Sequence, residues 1–129
     1  MKAVLVVDDN SAVRMVLTDF LTMAYPTARI LQAENGADGL ALAQAERPDL
    51  VLMDAEMPVL DGYAAARQLR QMAETRAIPI IAISSGASNN ELGKGLRSVA
   101  DRSLPKPFTA DEPLQTVAGV LTRQVVLNH

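Results

Sequence analysis

The 129-residue sequence has no cysteine and no tryptophan, and its single histidine is the terminal His129. The absence of cysteine excludes disulfide bonds, thiolate zinc sites and iron–sulfur clusters. One terminal histidine leaves almost nothing for histidine-based catalysis or for a histidine-rich metal site. The two Tyr and two Phe residues are too few for the aromatic platforms on which single-stranded nucleic acid stacks.

The charge balance is slightly acidic, with 12 Lys and Arg residues against 15 Asp and Glu residues. A net charge of −3 argues against binding to a phosphate backbone, so we expect no direct nucleic-acid partner. The apolar runs, such as Ala3–Val7 and Ile78–Ile83, fall far short of the ~20 residues that cross a membrane. The first run is also too short for a signal peptide, so we expect a cytoplasmic protein without a membrane partner.

Short apolar segments rich in β-branched residues alternate with segments of helical spacing, five times in succession. The predicted strands are Ala3–Val7, Arg29–Gln32, Leu50–Met53, Ile78–Ile83 and a weak strand near Arg102–Leu104. The predicted helices cover about Ala12–Leu21, Ala37–Ala45, Tyr63–Met72, Asn89–Val99 and Asp111–Val126. This alternation predicts an α/β fold in which helices cover both faces of a parallel sheet. The length fits one domain over residues 1–129.

Chemically useful side chains follow four of these strands. Asp8 and Asp9 follow the first strand, Asp54 the third and Ser84 the fourth, and Lys106 comes after the fifth. Because ligands bind at the carboxyl ends of the strands in such sheets, we expect these side chains to converge.

Three neighbouring carboxylates repel one another unless a cation neutralises them. Mg²⁺ prefers carboxylates together with water and phosphate oxygens. Lys106 and the hydroxyl of Ser84 would complete a site for a phosphate group, although the adjacent Ser85 leaves the choice of hydroxyl open. A carboxylate nucleophile that accepts a phosphoryl group fits this set of side chains.

The chain resembles the receiver domain of two-component response regulators, of the single-domain chemotaxis-regulator type. The matching motifs are Val7–Asn10, Met53–Pro58, Asp61-Gly62, Pro79–Ser84 and Lys106–Phe108. The separations of 45, 30 and 22 residues along Asp9, Asp54, Ser84 and Lys106 are also similar to those of the family. The resemblance implies a flavodoxin-like, doubly wound, five-stranded parallel sheet with strand order 2-1-3-4-5 and five helices.

The resemblance also implies a role for each matching site residue. Asp54 matches the phospho-acceptor. Asp8 and Asp9 match the acidic pair that holds Mg²⁺, and the backbone carbonyl of Glu56 matches a further metal ligand. Asp54 itself would complete the ligand set.

The remaining matches lie on the fourth and fifth strands. Ser84 matches the hydroxyl residue that meets the phosphoryl group, and Lys106 matches the lysine that pairs with it. Pro107 matches a proline that follows a cis peptide bond. By contrast, Arg14 is expected on a solvated helix face.

The function implied by the resemblance is that of a Mg²⁺-dependent signalling switch in a two-component phosphorelay. A histidine kinase or a phosphotransfer protein would donate the phosphoryl group to Asp54, and phosphorylation would change binding to an unidentified downstream protein. Such a chain is not an enzyme in the usual sense, because it catalyses only its own phosphorylation and dephosphorylation. We expect a monomer or a weak homodimer.

Two departures from the family pattern keep alternatives open. Ser103 stands where the family usually has Tyr or Phe, and Glu56 adds a negative side chain near the acceptor. One alternative is a pseudo-receiver that serves only as a protein-interaction module. The other is the receiver fragment of a longer regulator with a DNA-binding or enzymatic output domain.

Overall fold

The structure is a computed structural model that describes residues 1–85 and 91–127. Strands and helices alternate along the chain, as the sequence pattern predicts. The strands are β1 (Ala3–Val7), β2 (Arg29–Ala33), β3 (Leu50–Asp54), β4 (Ile80–Ser85) and β5 (Arg102–Lys106). The helices are α1 (Ser11–Ala24), α2 (Gly36–Glu46), α3 (Gly62–Gln71), α4 (Glu91–Val99) and α5 (Asp111–Leu127).

The five strands form one parallel sheet in the order β2-β1-β3-β4-β5. This confirms the fold class and the strand order that the family resemblance implies. The central strands β1 and β3 pair in a register that sets Val7 beside Met53. The residues that follow these two strands therefore leave the sheet side by side.

The strands at the centre of the sheet are buried on both faces. All five residues of β1 and of β3 are buried, as expected for strands without polar alternation. On one face, Leu5, Val7 and Met53 pack with buried residues of α2, α3 and α4. On the other face, Val6 and Leu52 pack with α1 and α5. The sheet is therefore doubly wound, and two apolar layers hold its central strands in place.

The observed ends of the strands differ slightly from the predicted ones. β4 begins at Ile80 rather than Ile78, because the amide of Ile78 donates to Thr75 in the preceding turn. β3 and β5 each extend to include the polar residue at the end, Asp54 and Lys106 respectively. The predicted start of α4 near Asn89 lies outside the described residues.

Polar side chains cap the first three helices. Asn10 caps α1 by accepting from the amides of Ala12 and Val13. Asn35 caps α2 and Asp61 caps α3 in the same way. No helix within residues 1–85 and 91–127 is both long enough and apolar enough to cross a membrane.

Gly62 lets α3 begin directly against the end of β3. Its amide donates to the carbonyl of Ala55 at 2.8 Å. A Cβ atom added at Gly62 would lie 1.8 Å from the backbone oxygen of Asp54, far inside any allowed contact. In contrast, a Cβ atom at Gly119 in α5 would meet nothing within 4 Å.

We therefore expect opposite effects from two glycine-to-alanine substitutions. Gly62→Ala should lower the free energy of unfolding by roughly 1–3 kcal/mol, because α3 or β3 must shift to relieve the overlap. Gly119→Ala should raise it by about 0.5–1 kcal/mol, because alanine is the better residue inside a helix. Urea unfolding of both variants measures the two changes, and equal changes in both would contradict the close contact at Gly62 and the open space at Gly119.

Candidate functional site

Three carboxylates meet at the carboxyl edge of the sheet, as the strand ends predict. Asp8 and Asp9 follow β1, and Asp54 ends β3. One carboxylate oxygen from each of the three lies within 4.8 Å of the others. Asp8 and Asp54 are buried, whereas Asp9 is exposed.

Lys106 brings a positive charge from β5 to this cluster. Its Nζ lies 2.8 Å from Asp8 Oδ2 and 3.6 Å from Asp54 Oδ1. The peptide bond between Lys106 and Pro107 is cis, as the resemblance implies. Burial lowers the pKa of Lys106, but the contacts with Asp8 and Asp54 outweigh this effect and raise it above 10.5. Lys106 therefore stays charged at neutral pH.

The Asp54 carboxyl is much less acidic than an ordinary aspartate. Burial away from water is the largest cause and raises its pKa from 3.8 to about 7, with the charge of Asp8 acting in the same direction. Lys106 and the backbone amide of Ala55 oppose this shift, and Asp9 adds to it. A further cation near Asp54 would therefore favour the ionised carboxylate.

The cluster offers the donor set that a hard divalent cation requires. Asp8 Oδ2 is wholly buried and makes no well-aligned hydrogen bond with the described residues, so the charge of Lys106 is its one compensation. Three carboxylate oxygens at one edge have lone pairs that can bind a cation. They fit Mg²⁺, whose other coordination positions would be filled by water or phosphate oxygens. The residues present thus fit the metal that the sequence predicts.

The other predicted site residues lie on the same edge. Ser84 is buried near the end of β4, where it pairs with Pro105 of β5. Ser85 pairs with Lys106, and its side chain lies outside the described set. Glu56 lies two residues beyond Asp54, and its side chain is exposed. Its carbonyl as a metal ligand stays a prediction.

Ser103 departs from the family pattern in the structure as well as in the sequence. It lies in β5, and its side chain is exposed. A serine at this place offers no ring that could move between a buried and an exposed position.

The expectation for Arg14 was wrong. Arg14 is half-buried, and its Nη1 donates to the backbone carbonyl of Asp8. It is the fourth residue of α1, so its long side chain can reach back over the turn that precedes the helix. That position, in the first turn of α1 and five residues after Asp9, is the signal in the sequence that could have indicated the contact.

The raised pKa of Asp54 predicts a pH-dependent stability in the metal-free protein. The unfolded chain releases this proton near pH 3.8, whereas the folded protein keeps it until about pH 7. The folded state binds more protons in this window, so stability from this group falls as pH rises through it. Asp54→Asn has no titrating carboxyl at this position, so it should become more stable relative to the wild type as the pH rises through this window. The gain should level off at roughly 1–3 kcal/mol above the folded-state pKa of Asp54.

Urea unfolding in the presence of a chelator, at several pH values, measures this difference. Asp19→Asn is the matched control, because Asp19 is an exposed residue of α1. A difference between Asp54→Asn and the wild type that does not change with pH would refute the burial effect.

The sequence and the fold both match known proteins. A family model for the response regulator receiver domain matches residues 4–118. PilH of Pseudomonas aeruginosa is 41% identical over 121 residues, which are 94% of this chain and 98% of PilH. Response regulator MprA of Mycolicibacterium vanbaalenii is 38% identical over 120 residues, 93% of this chain, and the chain spans 50% of that longer relative.

Solved structures with a similar fold belong to the same kind of protein as these sequence relatives. Chemotaxis response regulator CheY4 of Vibrio cholerae matches with a TM-score of 0.81 and 29% identity, over 93% of this chain and 98% of CheY4. The receiver domain of the sensor histidine kinase PA1611 from Pseudomonas aeruginosa has a magnesium ion coordinated in its active-site cleft. It matches with a TM-score of 0.79 and 32% identity, over 90% of this chain and 93% of that domain. The chain belongs to the response regulator receiver domain family of two-component signalling.

Proposed function

We propose that the chain is a Mg²⁺-dependent phospho-acceptor switch that is phosphorylated on Asp54. The observation that carries the proposal is the convergence of the Asp8, Asp9 and Asp54 carboxylates with Lys106 at one edge of the sheet. A cluster that exists only to stabilise the fold would not bury two carboxylates beside a third, since burying like charges costs stability. The arrangement is explained if the cluster binds a cation and a phosphoryl group.

In this proposal Asp54 is the nucleophile. An oxygen lone pair of its carboxylate forms a bond to the phosphorus of a phosphohistidine, and the P–N bond breaks. The electron pair of that bond stays on the imidazole, which takes a proton from solvent. Lys106 favours the ionised carboxylate of Asp54 that this step requires, and a bound cation would favour it further.

Lys106 and Ser84 bind the oxygens of the transferred group. The ammonium group of Lys106 already lies between Asp8 and Asp54, so it can donate to a phosphoryl oxygen next to the acceptor. The Ser84 hydroxyl would donate from β4. Mg²⁺, held by Asp8, Asp9, Asp54 and the carbonyl of Glu56, would neutralise charge on the transferred group. The magnesium ion in the PA1611 receiver domain, which is 32% identical, supports this assignment.

The donor in this proposal is a histidine kinase or a phosphotransfer protein, the partners with which receiver domains interact. Phosphorylation then shifts the chain between two conformations that bind a downstream protein differently. The chain would catalyse only its own phosphorylation and dephosphorylation. The proposal treats residues 1–129 as one receiver domain that acts in the cytoplasm as a monomer or a weak homodimer.

Phosphorylation by a small donor tests the acceptor directly. After incubation with acetyl phosphate and Mg²⁺, intact-mass spectrometry should show one added phosphoryl group on the wild type. The group should be absent without Mg²⁺, and absent from Asp54→Asn, which lacks the nucleophilic carboxylate. Asp19→Asn should be phosphorylated like the wild type, because Asp19 lies away from the sheet edge.

The same measurement separates the proposed switch from its alternative. No adduct on a wild-type protein that does bind Mg²⁺, with acetyl phosphate and with a phosphorylated histidine phosphotransfer protein, would contradict the proposal. That result would favour a pseudo-receiver that acts only as a protein-interaction module. The exposed Ser103 is compatible with either outcome and does not decide between them.

A further inference from the structure

Arg14 connects α1 to the turn that carries the acidic pair. Its Nη1 donates to the backbone carbonyl of Asp8, and its Nε lies 3.4 Å from Oε1 of Gln32. Gln32 belongs to β2, the strand beside β1. The guanidinium group is therefore held between the edge strand and the turn after β1, instead of extending into solvent.

The contact of Arg14 with the Asp8 carbonyl also affects the orientation of Asp9. The carbonyl oxygen of Asp8 and the amide of Asp9 belong to one planar peptide group. A hydrogen bond to that oxygen therefore restricts the orientation of the whole plane, and with it the direction in which Asp9 leaves the turn. Asp9 is exposed, so little packing is present to fix its orientation otherwise.

Three other residues hold the rest of Asp8 in place. Its amide donates to Ala33 at 3.1 Å, and its Oδ1 accepts from the amide of Asn10 at 2.9 Å. Its Oδ2 lies 2.8 Å from Lys106. Arg14 supplies the partner of the carbonyl, which is the group that leads on to Asp9.

We propose that Arg14 is a positioning residue that orients the Asp8–Asp9 peptide, so that the Asp9 carboxylate points into the cation site. This inference rests on the proposed function, because it concerns the binding of Mg²⁺ at the same cluster. Arg14 contacts neither the cation nor the phosphoryl group in this role. It acts through the backbone of the turn, as residues behind a metal ligand commonly do.

The sign of the effect on Mg²⁺ affinity separates this role from a simple charge effect. Arg14 is a cation near a cation site, so its charge alone opposes the binding of Mg²⁺. Removal of the charge would then tighten binding. Loss of a positioning contact would instead weaken binding, because the Asp9 ligand would sample other directions.

Calorimetric titration of the metal-free protein with Mg²⁺ makes this comparison. For Arg14→Met we expect affinity to fall by about 10-fold, the lower end of the range for residues that orient metal ligands. Arg14→Lys keeps the charge but loses the planar fork that reaches two acceptors, so it should restore only part of the loss. Arg29→Met is the matched control, since Arg29 pairs with Glu46 at the surface and its loss changes the net charge equally.

A second measurement needs no metal. Hydrogen exchange of the Asn10 amide, which donates to Asp8, should be faster in metal-free Arg14→Met than in the wild type, and unchanged in Arg29→Met. If Arg14→Met does not fold, Gln32→Met serves instead, since it removes the second partner of the guanidinium group. We expect a smaller loss, about 2-fold to 3-fold, in its affinity for Mg²⁺.

The outcomes distinguish the inference from the proposed function. Weaker Mg²⁺ binding by Arg14→Met, together with faster Asn10 exchange, supports the positioning role. Equal or tighter binding by the variant would overturn it and leave the phospho-acceptor proposal intact. A wild-type protein that binds no Mg²⁺ would overturn both.

Discussion

The ammonium group of Lys106, 2.8 Å from Asp8 and 3.6 Å from Asp54, makes the buried acidic edge of the sheet possible. Two carboxylates removed from water would repel each other and favour protonation without a nearby cation. One lysine offsets this only in part, because the pKa of Asp54 still rises to about 7. The positive charge near the carboxylates is therefore too small to neutralise them, and a divalent cation is the simplest ligand that would do so.

The parallel topology is what brings these groups together. Asp8, Asp54 and Lys106 lie far apart in the chain, but each comes at the carboxyl end of a strand, and these ends share one edge. Apolar layers on both faces keep β1 and β3 in register, so the edge is a consequence of core packing. Gly62 adds to this by letting α3 begin against the backbone of Asp54. The same packing energy that stabilises the fold thus holds the carboxylates close.

Much of the fold and of the candidate site could be predicted from the residues, and there are physical reasons why the rest could not. Uniformly apolar strands and polar strand ends indicate both the sheet and the edge where Asp8, Asp54 and Lys106 meet. Strand order is different, since local patterns do not determine which strands pair, and only the family resemblance supplied it. The contacts of long side chains were missed, because periodicity does not show where a guanidinium group reaches. Arg14 is one case, and Arg70 is another: it binds the carbonyls of Arg76, Ile78 and Val99 and the carboxylate of Asp101.

Burial and like charge leave Asp54 in need of a nearby cation, and the proposed roles of metal ligand and phospho-acceptor both depend on this. The most direct test is an NMR titration of the Asp54 carboxyl carbon, first with a chelator and then with saturating Mg²⁺. We expect Asp54 to have a pKa of about 7 without metal and a pKa far below that value with Mg²⁺. An ordinary aspartate pKa near 3.9 in the metal-free protein, unchanged by Mg²⁺, would show that Asp54 neither needs nor binds the cation.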